Sequence, residues 1–440
     1  MRNSNLFITI FLFVNFSVKA QYFESNNLKI DSFKDVKIFE QAPGHGLGPS
    51  EPSIYINPLN INNIVVGSII NFVHVSFDGG NTWKTNTLSS SMGVWGDPCV
   101  IADAKGNFYY AHLSDPEGLN WASEKILDRI VVQKSTDGGK KWSDGVGVGK
   151  NSPKQQDKEW FAVNPYNNDL YITWTEFDKY NSTNPKDKSR ILFSKSNNGG
   201  KTWCKPIKLS EFEGNSLDDD KTVEGAVPSV GPDGEIYVAW AYNNKIYFDK
   251  SINSGKTWLD KDIVATTQPG GWNFEVPGLN RTNGMPVTGV DLSNGKYRGT
   301  IYINFADQRN GKDDTDIFIV KSTDGGKHWS NPIRVNKDNT KTHQFLTWMS
   351  VDPKTGYIYI IFYDKSKYKN NLTDVVLAIS TDGGASFSNT TITKKPFKTN
   401  KKVFFGDYSN INAYNGIVRP VWTQQDKGTM SLWTALINIK

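Results

Sequence analysis

Cysteine, histidine and arginine are scarce in this chain: two, five and eight among 440 residues. The histidines, His45, His74, His112, His328 and His343, show no metal-ligand spacing. No His-Glu-x-x-His, Cys-x-x-Cys or glycine-rich phosphate loop occurs, which removes zincin, thiol-redox and P-loop chemistry from consideration. His45-Gly-Leu-Gly is a glycine-rich stretch with no helix pattern after it. Charge of one sign is also lacking. The net charge is +5 with lysines scattered along turns, a solvated surface and not a nucleic-acid stripe. Apolar runs are short. The one at residues 6–16 follows Arg2 and precedes Val18-Lys19-Ala20, the pattern of a secretory signal peptide cut after Ala20. It is too short to span a bilayer, which takes about 20 residues, and no later stretch is apolar enough. The expectation is a soluble exported protein, secreted or periplasmic, with residues 1–20 a signal peptide and 21–440 one domain.

Aromatic residues are plentiful, at 13% of the chain with 14 Trp and 18 Tyr. So is one phrase. It reads Ser76-Phe-Asp78-Gly-Gly80-Asn-Thr-Trp83 and recurs from Ser135 to Trp142, Ser196 to Trp203, Ser251 to Trp258, Ser322 to Trp329 and Ser380 to Phe387. The serines are 59, 61, 55, 71 and 58 residues apart. Recurrence at that period means a repeat architecture. Each copy follows a β-branched run such as Ile130-Val131-Val132. Asp-Gly or Asn-Gly then turns the chain, because glycine accepts positive φ and Asp or Asn bonds its own backbone. The aromatic packs beside the hairpin.

Each unit carries three strand signals before its turn and one after it, an antiparallel meander. A seventh unit without the phrase follows, from Tyr408 to Leu436, and lacks a fourth strand. Residues 36–39, Val-Lys-Ile-Phe, are a strand candidate with no partner of their own. The reading is all-β: a β-propeller of seven four-stranded blades, closed by the N-terminal strand, with six blades as the alternative. If the first strand of each blade is innermost, the turns share one face with the short links between strands one and two. The other face receives the long segments 113–129, 176–190, 205–224 and 260–285, and long loops on a rigid scaffold are where function concentrates. Cys99 then lies on an innermost strand and Cys204 on an outer one. Strands are about 4.8 Å apart, so three steps exceed a disulfide's reach. Two free, buried thiols are expected.

Charged residues recur where innermost strands begin: Glu51, Asp97, Asp157-Lys158-Glu159, Glu224 and Asp407. The map puts them around the central channel on the long-loop face, with Arg281 and Arg309 in nearby loops. Such carboxylates serve as acid, base or nucleophile at a sugar, bind Ca²⁺ through several oxygens, or satisfy backbone donors at strand starts. Arg309 has Asp307, Asp313 and Asp316 within its own loop as alternative partners. Trp95, Trp121, Trp160, Trp272, Tyr363 and Tyr408 fall on the same face, Trp160 and Tyr408 at strand starts where they also suit the core. Asp218-Asp219-Asp220 reads as a solvated loop or a Ca²⁺ site.

The repeated phrase resembles the Asp box, or BNR repeat, of the sialidase-superfamily β-propellers, and it covers most of the chain. The resemblance implies a glycoside hydrolase of sialidase type or a non-catalytic glycan- or protein-binding propeller. Glu224-Gly-Ala-Val-Pro-Ser-Val-Gly-Pro-Asp-Gly234 is similar to the strand context of the sialidase glutamate. The family's Phe/Tyr-Arg-Ile-Pro tetrapeptide is absent, and Trp240-Ala-Tyr-Asn-Asn244 has no arginine where the family carries one. The classical arginine triad is therefore incomplete. Glu224, Asp157, Asp97 and Asp407 are the catalytic candidates, and Arg281, Arg309, Trp121 and Trp272 the substrate-binding ones. No cofactor is implied beyond a structural Ca²⁺, and no resident metal is assigned. The expected partner is a glycan or glycoprotein, with neither nucleic acid nor a membrane span, and the expected state is a monomer.

Overall fold

The computed structural model describes residues 33–41 and 47–439. The signal-peptide reading of residues 1–20, and His45, lie outside them. Seven antiparallel sheets form a β-propeller. Their innermost strands are, in chain order, Ser53–Ile56, Cys99–Ala102, Gln155–Val163, Glu224–Val230, Val287–Val290, Gln344–Val351 and Asn410–Tyr414. The first six sheets have four strands in sequence order, the sixth gaining a short strand, Phe397–Lys398, on its third, and the seventh takes its fourth strand from the N-terminal side. Helix among the described residues amounts to one 3-10 turn, Asn120–Ala122. The innermost strands and the second strands behind them are buried almost throughout, and bulky second-strand residues such as Trp174, Trp240 and Trp422 fill the wedges between blades.

The seventh blade closes as the unpartnered N-terminal strand requires. Lys34–Gln41 pairs antiparallel with Thr429–Asn438, Val36 opposite Thr434 and Phe39 opposite Leu432. The first strand among the described residues is thus the outer strand of the last blade. This ties the two ends of the chain together and covers an edge that would otherwise expose unpaired backbone. Ile38 is the buried side chain of that strand.

The six turns are built alike. Ser76 Oγ donates to Asp78 Oδ1 at 2.8 Å, Gly80 N donates to Ser76 Oγ at 2.9 Å, and Thr82 N donates to Asp78 Oδ1 at 2.9 Å. The same serine-to-carboxylate bond recurs at Ser135, Ser322 and Ser380, and Asn198 and Asn253 accept it in the two copies without Asp. The residue before the serine adds a link between blades. Lys195, Lys250 and Lys321 donate Nζ to the carbonyls of Ser254, Gly325 and Gly383 in the next turn, at 2.6, 2.6 and 2.7 Å. Across the closure Arg419 of blade seven does this for Gly79 of blade one, at 2.9 Å. The turns are scaffold, repeated because each blade must be tied to its neighbour.

Cys99 is buried and free, and Phe161 N approaches its Sγ at 3.4 Å. Burial pushes its thiol far above the ordinary range. Cys204 is also free but half-buried, a correction to the expectation of two buried thiols. It follows a turn at the blade's outer edge, where a short fourth strand leaves one side open.

Ile38→Ala should destabilise the folded state by about 2–5 kcal/mol, the range for a buried Ile→Ala change. Denaturant unfolding measures it. An unchanged midpoint would mean that the N-terminal strand does not carry closure.

Candidate functional site

Innermost strands begin with an abrupt change of direction. Glu51, Asp97 and Lys158 have φ near +52°, and Gly225 has φ +75°. At Gly225 a Cβ would lie 2.5 Å from the Trp272 ring, so glycine is needed both for the turn and for the packing. Bulges follow in the third and fourth blades, between Asp157 and Trp160 and between Glu224 and Val227. These kinks turn the charged side chains toward the propeller axis.

There they converge on Lys158. Its ammonium is buried, 3.0 Å from Asp407, 3.2 Å from Asp97 and 3.7 Å from Asp157. Burial works against that charge, but the surrounding carboxylates outweigh it and raise the lysine's pKa. Glu51 Oε1 accepts from Asp407 N at 3.0 Å. Arg281, from the loop entering blade five, bridges the mouth. It pairs with Asp407 through Nε and Nη2, and its Nη1 lies 3.1 Å from Asp218. Tyr180 OH donates to Asp218 Oδ2 at 2.8 Å and Trp272 Nε1 to Asp218 Oδ1 at 2.9 Å. Trp160, Trp348 and Tyr408 pack together at the innermost strands beside this ring in tilted and edge-to-face contacts, with centroids 4.2, 4.9 and 6.0 Å apart.

Seven carboxyl groups, Glu51, Asp97, Asp157, Glu159, Asp218, Glu224 and Asp407, therefore share two cations, Lys158 and Arg281. Burial and mutual repulsion split their protonation states. Burial, then the Asp218 charge, pushes Glu224 well up. Burial does the same for Glu51 and Glu159. Asp157 is pushed up to about 8, by burial first and then by the charges of Asp97 and Asp218, against the pull of Lys158. Burial would also raise Asp407, but Arg281 and Lys158 overcome it and hold that carboxylate low. Neither oxygen of Glu224 has a hydrogen-bond donor around it. Its polar neighbour is the Asp218 carboxyl, so the two bond only when one holds a proton. Asp157 and Asp97 stand in the same relation.

A pocket of about 240 Å³ opens above the ring, lined by Tyr180, Asn181, Asp218, Trp272, Arg281 and Asp407, with Asn273 and Asn283 beside them. Trp121, half-exposed at 54%, stacks on Tyr180 at the rim with centroids 5.6 Å apart. All four long segments meet at this rim and pocket, together with the link ahead of Asp407. Of the residues expected at the site, Asp407 and Arg281 line the pocket and Asp97 reaches the ring below it. Asp157 and Glu224 are sealed behind. Trp272 is 3% exposed and offers its N–H, not its ring face. Tyr363 and Trp160 belong to the core. Arg309 stays away from the pocket, paired with Asp307 and lying 4.4 Å over the Phe318 ring at the rim of blade five. Among the described residues no three His, Cys, Asp or Glu side chains are arranged to hold a metal ion, and the ring's centre is filled by Lys158. Sequence reasoning did not select Tyr180 or Asp218 for the pocket. Both lie in segments marked as long loops, but nothing in the spacing marks which loop residue points inward.

No family model matches the chain. It is 24% identical over 316 residues to a sialidase of Bacteroides fragilis (strain YCH46), a match covering 64% of this chain and 52% of that protein. The chain thus spans about half the length of that curated relative. Among solved structures it is similar to an ulvan lyase, described as a new family of polysaccharide lyase and bound to -[GlcA(1-4)Rha3S]-. That likeness has TM-score 0.54 and 13% identity, covering 92% of this chain and 96% of the other. A Dyadobacter fermentans DSM 18053 protein of unknown function matches with TM-score 0.50 and 12% identity, over 92% and 98% of the two chains. These structural likenesses concern the fold.

A carboxyl whose pKa is raised by folding contributes stability at low pH and loses it as pH rises through the folded value. For Asp157 the loss runs from about 4, where the unfolded side chain ionises, to about 8. Asp157→Asn should therefore flatten the fall in unfolding free energy between those pH values. Denaturant melts across that range check it. A slope as steep as the parent's would show that Asp157 is not held protonated.

Proposed function

We propose that the protein is an exported glycan-acting propeller that hydrolyses glycosidic bonds at the pocket between Asp218 and Asp407. One observation carries this reading: Arg281 bridges two carboxyls on the pocket wall, and behind one of them lies a third carboxyl that burial pushes well up. Asp407 is held ionised by Arg281 and Lys158. Asp218 is backed by Glu224, which burial keeps protonated. Glycoside cleavage needs such a division, one carboxyl giving a proton to the leaving oxygen and another assisting as base or nucleophile. Glu224 is the proton source, its proton passing by way of the Asp218 carboxyl to the leaving oxygen, and Asp407 takes the second role. Arg281, 36% exposed along its side chain, lies between them and must move aside as a sugar ring enters. Tyr180, Asn181 and Asn283 supply polar contacts to hydroxyls, and Trp121 an apolar face at the rim.

An anionic group at the pocket finds no spare cation, since Arg281 already serves Asp218 and Asp407 and Lys158 is buried among carboxyls. The sugar unit in the pocket is accordingly a neutral one, which also accounts for the incomplete arginine triad. A second reading has its own support: both charges of the Asp218–Asp407 pair are committed to Arg281, which suits glycan binding without turnover.

On glycans with neutral non-reducing ends, Asp407→Asn, Asp218→Asn and Glu224→Gln should each lower kcat by about 10²-fold or more and leave binding in place. Hydrolysis by these variants at the parent's rate removes the enzymatic reading. Glycan binding in the pocket with no turnover by the parent protein selects the second.

A further inference from the structure

A different surface carries its own chemistry. Between the sixth and seventh blades runs a groove of about 1330 Å³. Lys394, Lys395, Lys398 and Lys401 line it from the link after blade six, Lys37 from the closing N-terminal strand and Lys427 from the last hairpin. Asp35 takes Lys394 at 2.5 Å and Glu40 takes Lys37 at 2.5 Å. Among the described residues no carboxylate lies within 4.0 Å of the other four ammonium groups. Lys402 follows on the same segment and is exposed. Asp426 also lines the groove, so its lining carries six lysines against three carboxylates, a local excess of three positive charges.

We propose that this groove binds an acidic polysaccharide, one bearing carboxylate or sulfate groups, and feeds it toward the pocket. The inference rests on the glycan reading above and adds the class of polymer. The charges are lysine ammonium groups on flexible stems, suited to anionic groups at varied spacing. The groove lining contains no arginine to fork a phosphate, and of its two aromatics Phe397 is buried and Trp433 half-buried under Lys37, which gives no platform for stacked bases. Asn371, Gln424, Gln425 and Ser431 line it beside the lysines and match sugar hydroxyls. Gln425 Nε2 is buried with no acceptor. A concave channel also does not fit a flat bilayer.

Continuity with the pocket comes from two segments. The link that carries Lys398 and Lys401 runs on to Asp407, and Phe404 on the way lies 5.2 Å from the Arg281 guanidinium. Gly278, on the loop of Arg281, closes against Thr399 at the groove, where a Cβ would come within 2.7 Å of Oγ1. The carboxyl ring repels anions and the groove attracts them. A polymer in which acidic and neutral units alternate satisfies both.

The test is calorimetric titration of the whole protein with polygalacturonate, sulfated dextran, neutral dextran, a single-stranded DNA oligonucleotide and phosphatidylserine vesicles. We expect both acidic polysaccharides to bind, binding to fall steeply between 50 and 200 mM salt, and neutral dextran not to bind. The triple variant Lys395→Gln, Lys398→Gln, Lys401→Gln should lose about tenfold or more in affinity. Its melting temperature should be unchanged, since all three side chains are exposed. Polygalacturonate binding without hydrolysis by the parent protein would remove the hydrolytic reading and leave this one standing. Parent-like affinity of the triple variant overturns the proposal, as does no binding at 50 mM salt. Tighter binding of DNA or vesicles than of either polysaccharide overturns it equally.

Discussion

The ammonium of Lys158 is the charge on which the site depends. Seven carboxyl groups gathered on the axis of a protein would repel each other and, stripped of water, resist ionisation. Lys158 lies within 3.7 Å of three of them. With Arg281 it holds Asp407 low, while burial pushes Glu51, Asp157, Glu159 and Glu224 up. A bound cation could serve the same purpose, but this one is covalently part of an innermost strand and cannot be lost. Its position follows from a backbone kink, the left-handed residue at the start of that strand. The geometry of the blade thus sets the electrostatics of the mouth.

Arg281 adds a movable charge to that fixed one. It comes from a long loop, is partly exposed, and ties Asp218 to Asp407 across the mouth. The rigid part of the propeller supplies Asp97, Asp157, Lys158 and Glu224, while loops supply Tyr180, Asp218, Trp272 and Arg281. The division is physical. Asp157, Lys158 and Glu224, which stay buried, are placed on innermost strands, and groups that meet a ligand are placed where the chain can adjust.

Most of the fold was legible in the sequence because it repeats. Six near-identical turns gave the blade boundaries, and the unpartnered run Val36-Lys-Ile-Phe39 pointed to closure on the last blade, which the pairing with Thr429–Asn438 bears out. The facing of the loops followed from the strand order alone. The convergence of Glu51, Asp97, Asp157, Glu224 and Asp407 was legible for the same reason, since each begins or precedes an innermost strand. Which of them meets solvent was not legible. Glu224 and Asp407 hold equivalent places in the repeat, yet one is sealed behind Asp218 and the other lines the pocket, because loops of unequal length cover them. Arg309 is close to the mouth in the loop map but finds Asp307 two residues away, a local pair that outcompetes a distant site. The lysine groove also escaped notice, because its charges come from both ends of the chain and meet only through closure.

The central claim is that a sugar ring enters between Asp218 and Asp407 and displaces the Arg281 guanidinium. A crystal of the Asp407→Asn protein soaked with a neutral-ended oligosaccharide tests it most directly. The account predicts a ring in the pocket beside Tyr180 and Asn283, its glycosidic oxygen within hydrogen-bond reach of Asp218, and Arg281 swung off Asp218. Sugar bound elsewhere on the propeller, with the Arg281–Asp218 pair intact, would contradict it.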